Sequence, residues 1–119
     1  MTVLVVDDDA ATRELIGEIL RPHHQVLFAQ NGLEAFQWTQ RGHIDLILMD
    51  ILMPLFSGFW FCNAFKRKRS TANIPIVIVS GMLNDENVEK ARLVGACATV
   101  KKPFRCDELL EVVEKNATH

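Results

Sequence analysis

The chain has 119 residues, the length of one globular domain, and its formal net charge is −2. Hydrophobic residues make up 49% and charged residues 24%, which is ordinary for a globular chain and gives no overall basic field toward nucleic acid or a membrane surface. No apolar run approaches the ~18 residues of a membrane span, and the N-terminus lacks the pattern of a signal peptide. We therefore expect a cytoplasmic protein with no membrane insertion and no direct nucleic-acid contact.

Strand-like and helix-like segments alternate along the whole chain. Short apolar, β-branched runs predict strands over residues 3–6, 25–29, 44–49, 76–79 and 98–100. Helical spacing predicts helices over residues 10–20, 31–40, 59–69 and 84–94, and a last helix that includes residues 109–113. Asp9, Asn31 and Asn84 are predicted to cap three of these helices. The alternation predicts an α/β fold, a doubly wound (βα)5 sandwich with a parallel sheet between two helical layers. We expect one domain over residues 1–117 and a tail over residues 118–119.

Four of the predicted strands run into residues that can bind a metal or a phosphate. Asp7 and Asp8 follow the first strand, Asp50 follows the third, Ser80 follows the fourth, and Lys101-Lys102-Pro103 follows the fifth. In open parallel sheets a ligand binds beyond the carboxyl ends of the strands. Each residue alone has an ordinary explanation, such as a helix cap or a solvated lysine, but their conjunction at four strand ends predicts one site.

The residue types in this set suit phosphoryl chemistry. Asp50 is a candidate nucleophile that forms an acyl phosphate. Asp7 and Asp8 supply the carboxylates that Mg²⁺ prefers, and clustered carboxylates are costly without a cation. Lys102 can place its charge on a phosphoryl oxygen, and Ser80 can donate a hydrogen bond to another.

Together these motifs resemble the receiver domain of two-component response regulators. The resemblance covers essentially the whole chain and is carried by four segments, Val5-Val6-Asp7-Asp8-Asp9, Met49-Asp50-Ile51-Leu52-Met53-Pro54 with Gly58, Val79-Ser80-Gly81, and Val100-Lys101-Lys102-Pro103-Phe104. It implies a flavodoxin-like sheet in the order 2-1-3-4-5. It also implies a non-enzymatic switch, in which a sensor histidine kinase or histidine phosphotransfer protein phosphorylates Asp50.

The resemblance further implies a role for each site residue. Asp8 would bind Mg²⁺ directly and Asp7 mainly through water, and Asp50 and the backbone carbonyl of Leu52 would complete the protein ligands. Ser80 and Lys102 would contact the phosphoryl oxygens. The switch region would comprise Ser80, Gly81, Thr99 and Pro103, and the face formed by the fourth helix, fifth strand and fifth helix would bind a downstream protein or a second copy.

The chain departs from the family pattern at several positions. Thr99 stands where many receivers have an aromatic switch residue, so we expect activation without a ring movement there. Leu52 and Met82 lie two residues beyond Asp50 and Ser80, and two apolar groups predict slow self-dephosphorylation. Arg105 and Cys106 are poor caps, so the first turn of the last helix is predicted to fray.

The third predicted helix is rich in aromatic residues. Phe61 and Phe65 are four residues apart and are predicted to face the core, whereas adjacent Phe59 and Trp60 cannot both do so. We expect the loop over residues 54–58 to shield the remaining ring, with a contact surface as the alternative. The basic run over residues 66–69 is interpreted as a solvated helix end.

Other functional classes remain open at this level. The chain is interpreted as a complete regulator, a phosphorelay intermediate, or a receiver fragment of a multidomain transcription factor or hybrid kinase. A phosphohydrolase with an Asp nucleophile is disfavoured, because Leu52 stands where such enzymes need an acid and there is no room for a cap over the substrate. An acidic-pocket protein that never takes up phosphate is the third alternative.

Overall fold

A computed structural model describes residues 1–53 and 56–117. Five strands alternate with five helices. The strands are β1 (Thr2–Val6), β2 (Gln25–Ala29), β3 (Leu46–Met49), β4 (Ile76–Ser80) and β5 (Ala98–Lys101). The helices are α1 (Ala10–Leu20), α2 (Gly32–Arg41), α3 (Gly58–Arg67), α4 (Asp85–Leu93) and α5 (Cys106–Asn116). Pro54 of the family motif and the tail predicted over residues 118–119 lie outside the described residues.

The five strands form one parallel sheet in the order β2-β1-β3-β4-β5. The predicted fold class and strand order are therefore confirmed. Val6 pairs with Met49, and Ser80 pairs with Lys101. Because all strands run in one direction, Asp7, Asp50, Ser80 and Lys102 emerge at a single edge of the sheet.

Side chains of successive strand residues enter two separate cores, one on each face of the sheet. Leu4, Ile47 and Ile78 pack on the face that α2, α3 and α4 cover. Val3, Leu48 and Val79 pack on the opposite face, which α1 and α5 cover. Burial on both faces is the reason that the strands are continuously apolar in sequence.

Polar caps set the start of several helices, and three of them were predicted. Asp9 accepts a hydrogen bond from the Thr12 amide, Asn31 from the Glu34 amide and Asn84 from the Asn87 amide. Ser57 caps α3 in the same way and was not predicted; it accepts from the Trp60 amide.

The last helix and the third strand begin in ways that sequence spacing did not specify. In α5 the Arg105 amide donates to the Glu108 carboxylate at 3.3 Å, while Arg105 itself makes no side-chain cap. Fraying of this turn stays a prediction. The strand β3 begins at Leu46, two residues later than predicted, and Asp45 before it uses its carboxylate to accept from the Thr2 amide.

Candidate functional site

Backbone hydrogen bonds extend the sheet by one residue at the strand ends that carry the site. The Asp7 amide donates to the Ala29 carbonyl at 3.1 Å, and the Asp50 amide donates to the Val6 carbonyl at 3.1 Å. The Lys102 amide donates to the Ser80 carbonyl at 3.0 Å. These bonds fix the starting points of the three side chains, so the site is built on the rigid sheet and not on free loops.

Three carboxylates converge at this edge. Asp7, Asp8 and Asp50 each contribute an oxygen, and these oxygens lie within 4.8 Å of one another. Asp7 and Asp50 are only 2% and 8% exposed, whereas Asp8 is exposed. Oxygen Oδ1 of Asp50 is buried and accepts no hydrogen bond from the described residues. A buried carboxylate oxygen without a partner is costly, and a hard oxygen donor set of this kind suits Mg²⁺.

Lys102 links two of these carboxylates. Its Nζ lies 2.7 Å from Oδ2 of Asp7 and 3.2 Å from Oδ2 of Asp50, while neighbouring Lys101 is exposed. Burial by itself lowers the pKa of the ammonium, but the hydrogen bond to Asp7 and the charges of both carboxylates outweigh it, so the pKa of Lys102 is raised. Lys102 is therefore a fixed positive charge between Asp7 and Asp50.

The two oxygens of Asp7 are both engaged. Oδ2 accepts from Lys102, and Oδ1 accepts from the Asp9 amide at 2.9 Å. The side chain of Arg13 also reaches this loop, because its Nη1 donates to the Asp7 carbonyl at 2.7 Å. Sequence reasoning missed Arg13, since nothing in the spacing of a helical arginine indicates a contact six residues back. Asp9 itself caps α1, and the hydrogen bond from the Thr12 hydroxyl lowers the pKa of its carboxyl group.

Ser80 lies at the end of β4 with its hydroxyl buried. Its Oγ accepts from the Met82 amide at 3.1 Å. Since a hydroxyl that accepts one bond still has its own hydrogen, Ser80 keeps a donor available. Beside it, a Cβ at Gly81 would meet nothing within 4 Å, so steric crowding does not require glycine at that position.

The other residues predicted for the site lie on β5 or just after the ends of β3, β4 and β5. Leu52 and Met82 are exposed near the ends of β3 and β4. Thr99 is half-buried in β5, where it pairs with Ile78. The peptide bond between Lys102 and Pro103 is cis.

Gly58 is a further site residue that sequence reasoning did not explain. Its amide donates to the Ile51 carbonyl at 2.8 Å, and a Cβ at this position would lie 1.9 Å from the Asp50 carbonyl oxygen. The first turn of α3 therefore presses directly on the backbone of Asp50. Only the absence of a side chain permits this approach.

The model of the response regulator receiver domain matches residues 3–114, nearly the whole chain. The chain belongs to the response-regulator receiver family. The predicted resemblance is thereby confirmed, and the chain is a signalling switch domain of a class that binds Mg²⁺ at an acidic cluster and works with histidine kinases.

Similar proteins are found in several bacteria. The chain is 34% identical to the phosphate regulon transcriptional regulatory protein PhoB of Pseudomonas aeruginosa, over 92% of this chain and 48% of that protein. It is also 34% identical to a gliding motility regulatory protein of Myxococcus xanthus, over 97% of this chain and 15% of that protein. Among solved structures, the chemotaxis protein CheY4 of Vibrio cholerae superposes with a TM-score of 0.91 at 28% identity, and 97% of each chain is covered.

The receiver thus matches one segment of its longer relatives. It spans 15% to 48% of the length of the two curated proteins just named. Some other relatives are cyclic di-GMP phosphodiesterases, but the similarity lies in the receiver segment, a fold typical of non-enzymatic signalling domains. No helix within residues 1–53 and 56–117 is both long and apolar enough to cross a membrane.

Proposed function

We propose that this receiver is a cytoplasmic switch in which Asp50 accepts a phosphoryl group from a phosphohistidine donor in a Mg²⁺-dependent reaction. The observation that carries the proposal is the state of the Asp50 carboxylate. Its Oδ1 is buried without a hydrogen-bond partner among the described residues, while Lys102 holds its Oδ2. Such a carboxylate is fixed in position and still has a free oxygen for a nucleophilic role.

The transfer step conserves the phosphoryl group. An Asp50 oxygen bonds to phosphorus, the bond from phosphorus to the donor imidazole nitrogen breaks, and the electron pair stays on that nitrogen. Mg²⁺ would supply positive charge to the phosphoryl oxygens. Lys102 would contact one of these oxygens, and the free hydroxyl hydrogen of Ser80 would be donated to another.

The metal ligands follow from the carboxylates that remain free. Asp8 is exposed at the cluster and suits direct coordination, together with Asp50 and the backbone carbonyl of Leu52. Both oxygens of Asp7 accept hydrogen bonds from protein groups, which favours its acting on the ion through water. We therefore propose that Asp8 and Asp50 bind the ion directly and that Asp7 acts on it through water.

A hydrogen-bonded connection supports the proposed relay toward α4. Ser80 Oγ accepts from the Met82 amide, and the Met82 carbonyl accepts from the side chain of Asn87, which lies on α4. If Ser80 moves toward a phosphoryl group, the Met82 backbone and the first turn of α4 must adjust with it. The face formed by α4, β5 and α5 would then bind a downstream protein or a second copy. The loop after Ser80 and α4 would shift on activation, with no aromatic ring movement at Thr99.

Mass spectrometry after incubation with Mg²⁺ and acetyl phosphate tests the proposal. We expect a gain of one phosphoryl group that disappears in Asp50→Asn. Asp9→Asn is the matched control, since Asp9 is exposed outside the cluster and Asn caps helices equally well. No mass gain would favour an acidic-pocket protein, and turnover of a phosphomonoester would favour a phosphohydrolase.

The phosphorylated form is proposed to lose phosphate slowly. Leu52 and Met82 offer an incoming water no hydrogen bond, and both side chains are exposed close to the strand ends of the site. Release of radiolabelled phosphate measures the rate, and loss within seconds without a phosphatase contradicts this proposal. Met82→Gln, which supplies a hydrogen-bonding group, should release phosphate faster than the unaltered chain.

The oligomeric response separates a receiver that acts by itself from one that is part of a larger regulator or hybrid kinase. Size-exclusion chromatography with and without beryllofluoride, a phosphoryl mimic, reports dimer formation through α4, β5 and α5. A dimer that appears only with beryllofluoride supports the mode expected of a transcription-factor receiver. A monomer under both conditions supports action through a separate protein partner.

A further inference from the structure

The helices α2 and α3 leave an apolar cleft between them on the surface of the molecule. The cleft has a volume of about 210 Å³. Its apolar walls are formed by Leu33, Phe36, Trp60, Phe61, Ala64 and Phe65. It lies on different helices from the α4, β5 and α5 face of the proposed relay.

The floor of the cleft is a set of packed rings. Phe36 and Phe65 stack with ring centroids 6.1 Å apart, and Phe61 contacts Phe65 at 6.4 Å. A Cβ at Gly32 would lie 2.2 Å from the Phe61 ring, so the first turn of α2 rests directly on that ring. Because Phe61 and Phe65 are buried in the core, the floor is held in place before any partner arrives.

The rim exposes large apolar side chains. Leu33 is 55% exposed and Trp60 is 50% exposed. Phe56 stacks on Trp60 with centroids 4.5 Å apart and is itself 46% exposed. The expected shielding of this ring by the loop over residues 54–58 is thus incomplete in the part of the loop that the structure describes. Neighbouring exposed apolar groups of this size mark an interaction surface more than scattered single ones do.

Positive charge lies at one end of the cleft. Lys68 lines the cleft with its Nζ 4.8 Å from the centre of the Phe36 ring, and Arg67 and Arg69, its neighbours in sequence, are exposed. Within α2 and α3 the only acidic residue is Glu34, and its carboxylate already accepts a hydrogen bond from the Gln30 amide. A complementary partner must therefore bring carboxylates to this end.

The volume of the cleft limits the kind of ligand or partner that it can bind. Its volume of about 210 Å³ falls below the ~300–1,000 Å³ of small-molecule pockets, and fits one or two side chains of a protein partner. A second copy that offered the same two helices would bring basic and not acidic charge. We propose that the cleft docks an amphipathic, acidic helix of another protein, with an aliphatic or aromatic anchor between Leu33 and Trp60 and carboxylates at Lys68.

A titration of the ¹⁵N-labelled chain with a designed peptide tests this proposal. The probe is an alanine-based helix of about 15 residues, with two leucines four positions apart on one face and glutamates one turn beyond. We expect saturable amide shifts confined to α2 and α3. The same peptide with lysines in place of the glutamates should bind about tenfold more weakly, as should the glutamate peptide to Lys68→Glu.

Matched surface variants separate the cleft from general hydrophobic adhesion. Leu33→Lys should weaken binding of the glutamate peptide at least about tenfold. Leu93→Lys removes a side chain that is 69% exposed on α4, away from the cleft, and should bind as the unaltered chain does. Absence of saturable shifts at millimolar peptide, or equal losses in both variants, overturns the proposal. Self-association of the free chain that Leu33→Lys abolishes would assign the cleft to a second copy and also overturn it.

Discussion

Replacing Gly58 with alanine brings a methyl group against the backbone of the proposed phosphoacceptor. The added Cβ would lie 1.9 Å from the Asp50 carbonyl oxygen, 2.8 Å from the Asp50 carbonyl carbon and 3.2 Å from the Ile51 Cα. All three neighbours are backbone atoms, so no side-chain rotation relieves the clash. The first turn of α3 must retreat from the sheet, or the Asp50 backbone must move.

The required movement sets the expected magnitude. Ordinary contact begins near 3.4 Å, so the two backbones must separate by about 1.5 Å. Overpacking of this kind costs about 1–3 kcal/mol, and the better helix propensity of alanine offsets up to about 1 kcal/mol of it. A displacement of ~1 Å at a reacting group costs about 100-fold in rate. We therefore expect a stability loss of about 1–2 kcal/mol and a phosphorylation rate lower by up to about 100-fold.

Gly42→Ala is the matched control, since Gly42 follows α2 outside the proposed site and a Cβ there meets nothing within 4 Å. Urea denaturation gives the free energy of unfolding of both variants. The mass gain with Mg²⁺ and acetyl phosphate gives their rates of labelling. If Gly58→Ala is as stable and is labelled as fast as Gly42→Ala, the contact between α3 and Asp50 does not position the carboxylate.

Two further predictions concern charge and thiol reactivity. Lys102→Gln removes the ammonium between Asp7 and Asp50, so isothermal titration calorimetry should show Mg²⁺ binding several-fold more tightly, while phosphorylation should slow. Lys101→Gln replaces an exposed lysine and should change neither the Mg²⁺ affinity nor the phosphorylation rate. Equal effects of the two variants would contradict the role assigned to Lys102. Burial raises the pKa of the Cys62 thiol to about 11, and burial also raises the pKa of the Cys97 thiol, whose Sγ donates to the Ile76 carbonyl. Cys106 is exposed, so a thiol reagent should label Cys106 first, Cys97 more slowly and Cys62 only on unfolding. Rapid labelling of all three would contradict this prediction.

Much of the fold could be predicted because the three inner strands, β1, β3 and β4, are almost continuously apolar and buried on both faces. The boundaries of α1 and β2 agree with the sequence pattern, and the Asp9, Asn31 and Asn84 caps act as predicted. The boundary of β3 could not be predicted, because the amide of Thr2, which is 43 residues away in sequence, binds Asp45. The cap by Ser57 was not predicted, because Ser57 lies in a loop, where serine is common without capping a helix.

The candidate site, like the fold, could be predicted only in part. The order of residues at the strand ends predicted that Asp7, Asp8, Asp50 and Lys102 would meet, because parallel strands bring their carboxyl ends to one edge. It could not predict which oxygens are already engaged. That depends on the Asp9 amide and on Lys102, which comes from the far end of the chain.

Periodicity and local motifs along the chain were enough to predict the fold class, the family and the set of polar residues at the strand ends. The packing of the folded chain was needed to show that Gly58 must lack a side chain, that Oδ1 of Asp50 has no partner among the described residues, and that α2 and α3 enclose an apolar cleft with Lys68 at its end. Each of these depends on distances between segments that are far apart in sequence or that pack across a loop. Sequence spacing does not encode such distances, and the packing of α2 and α3 on the sheet sets them.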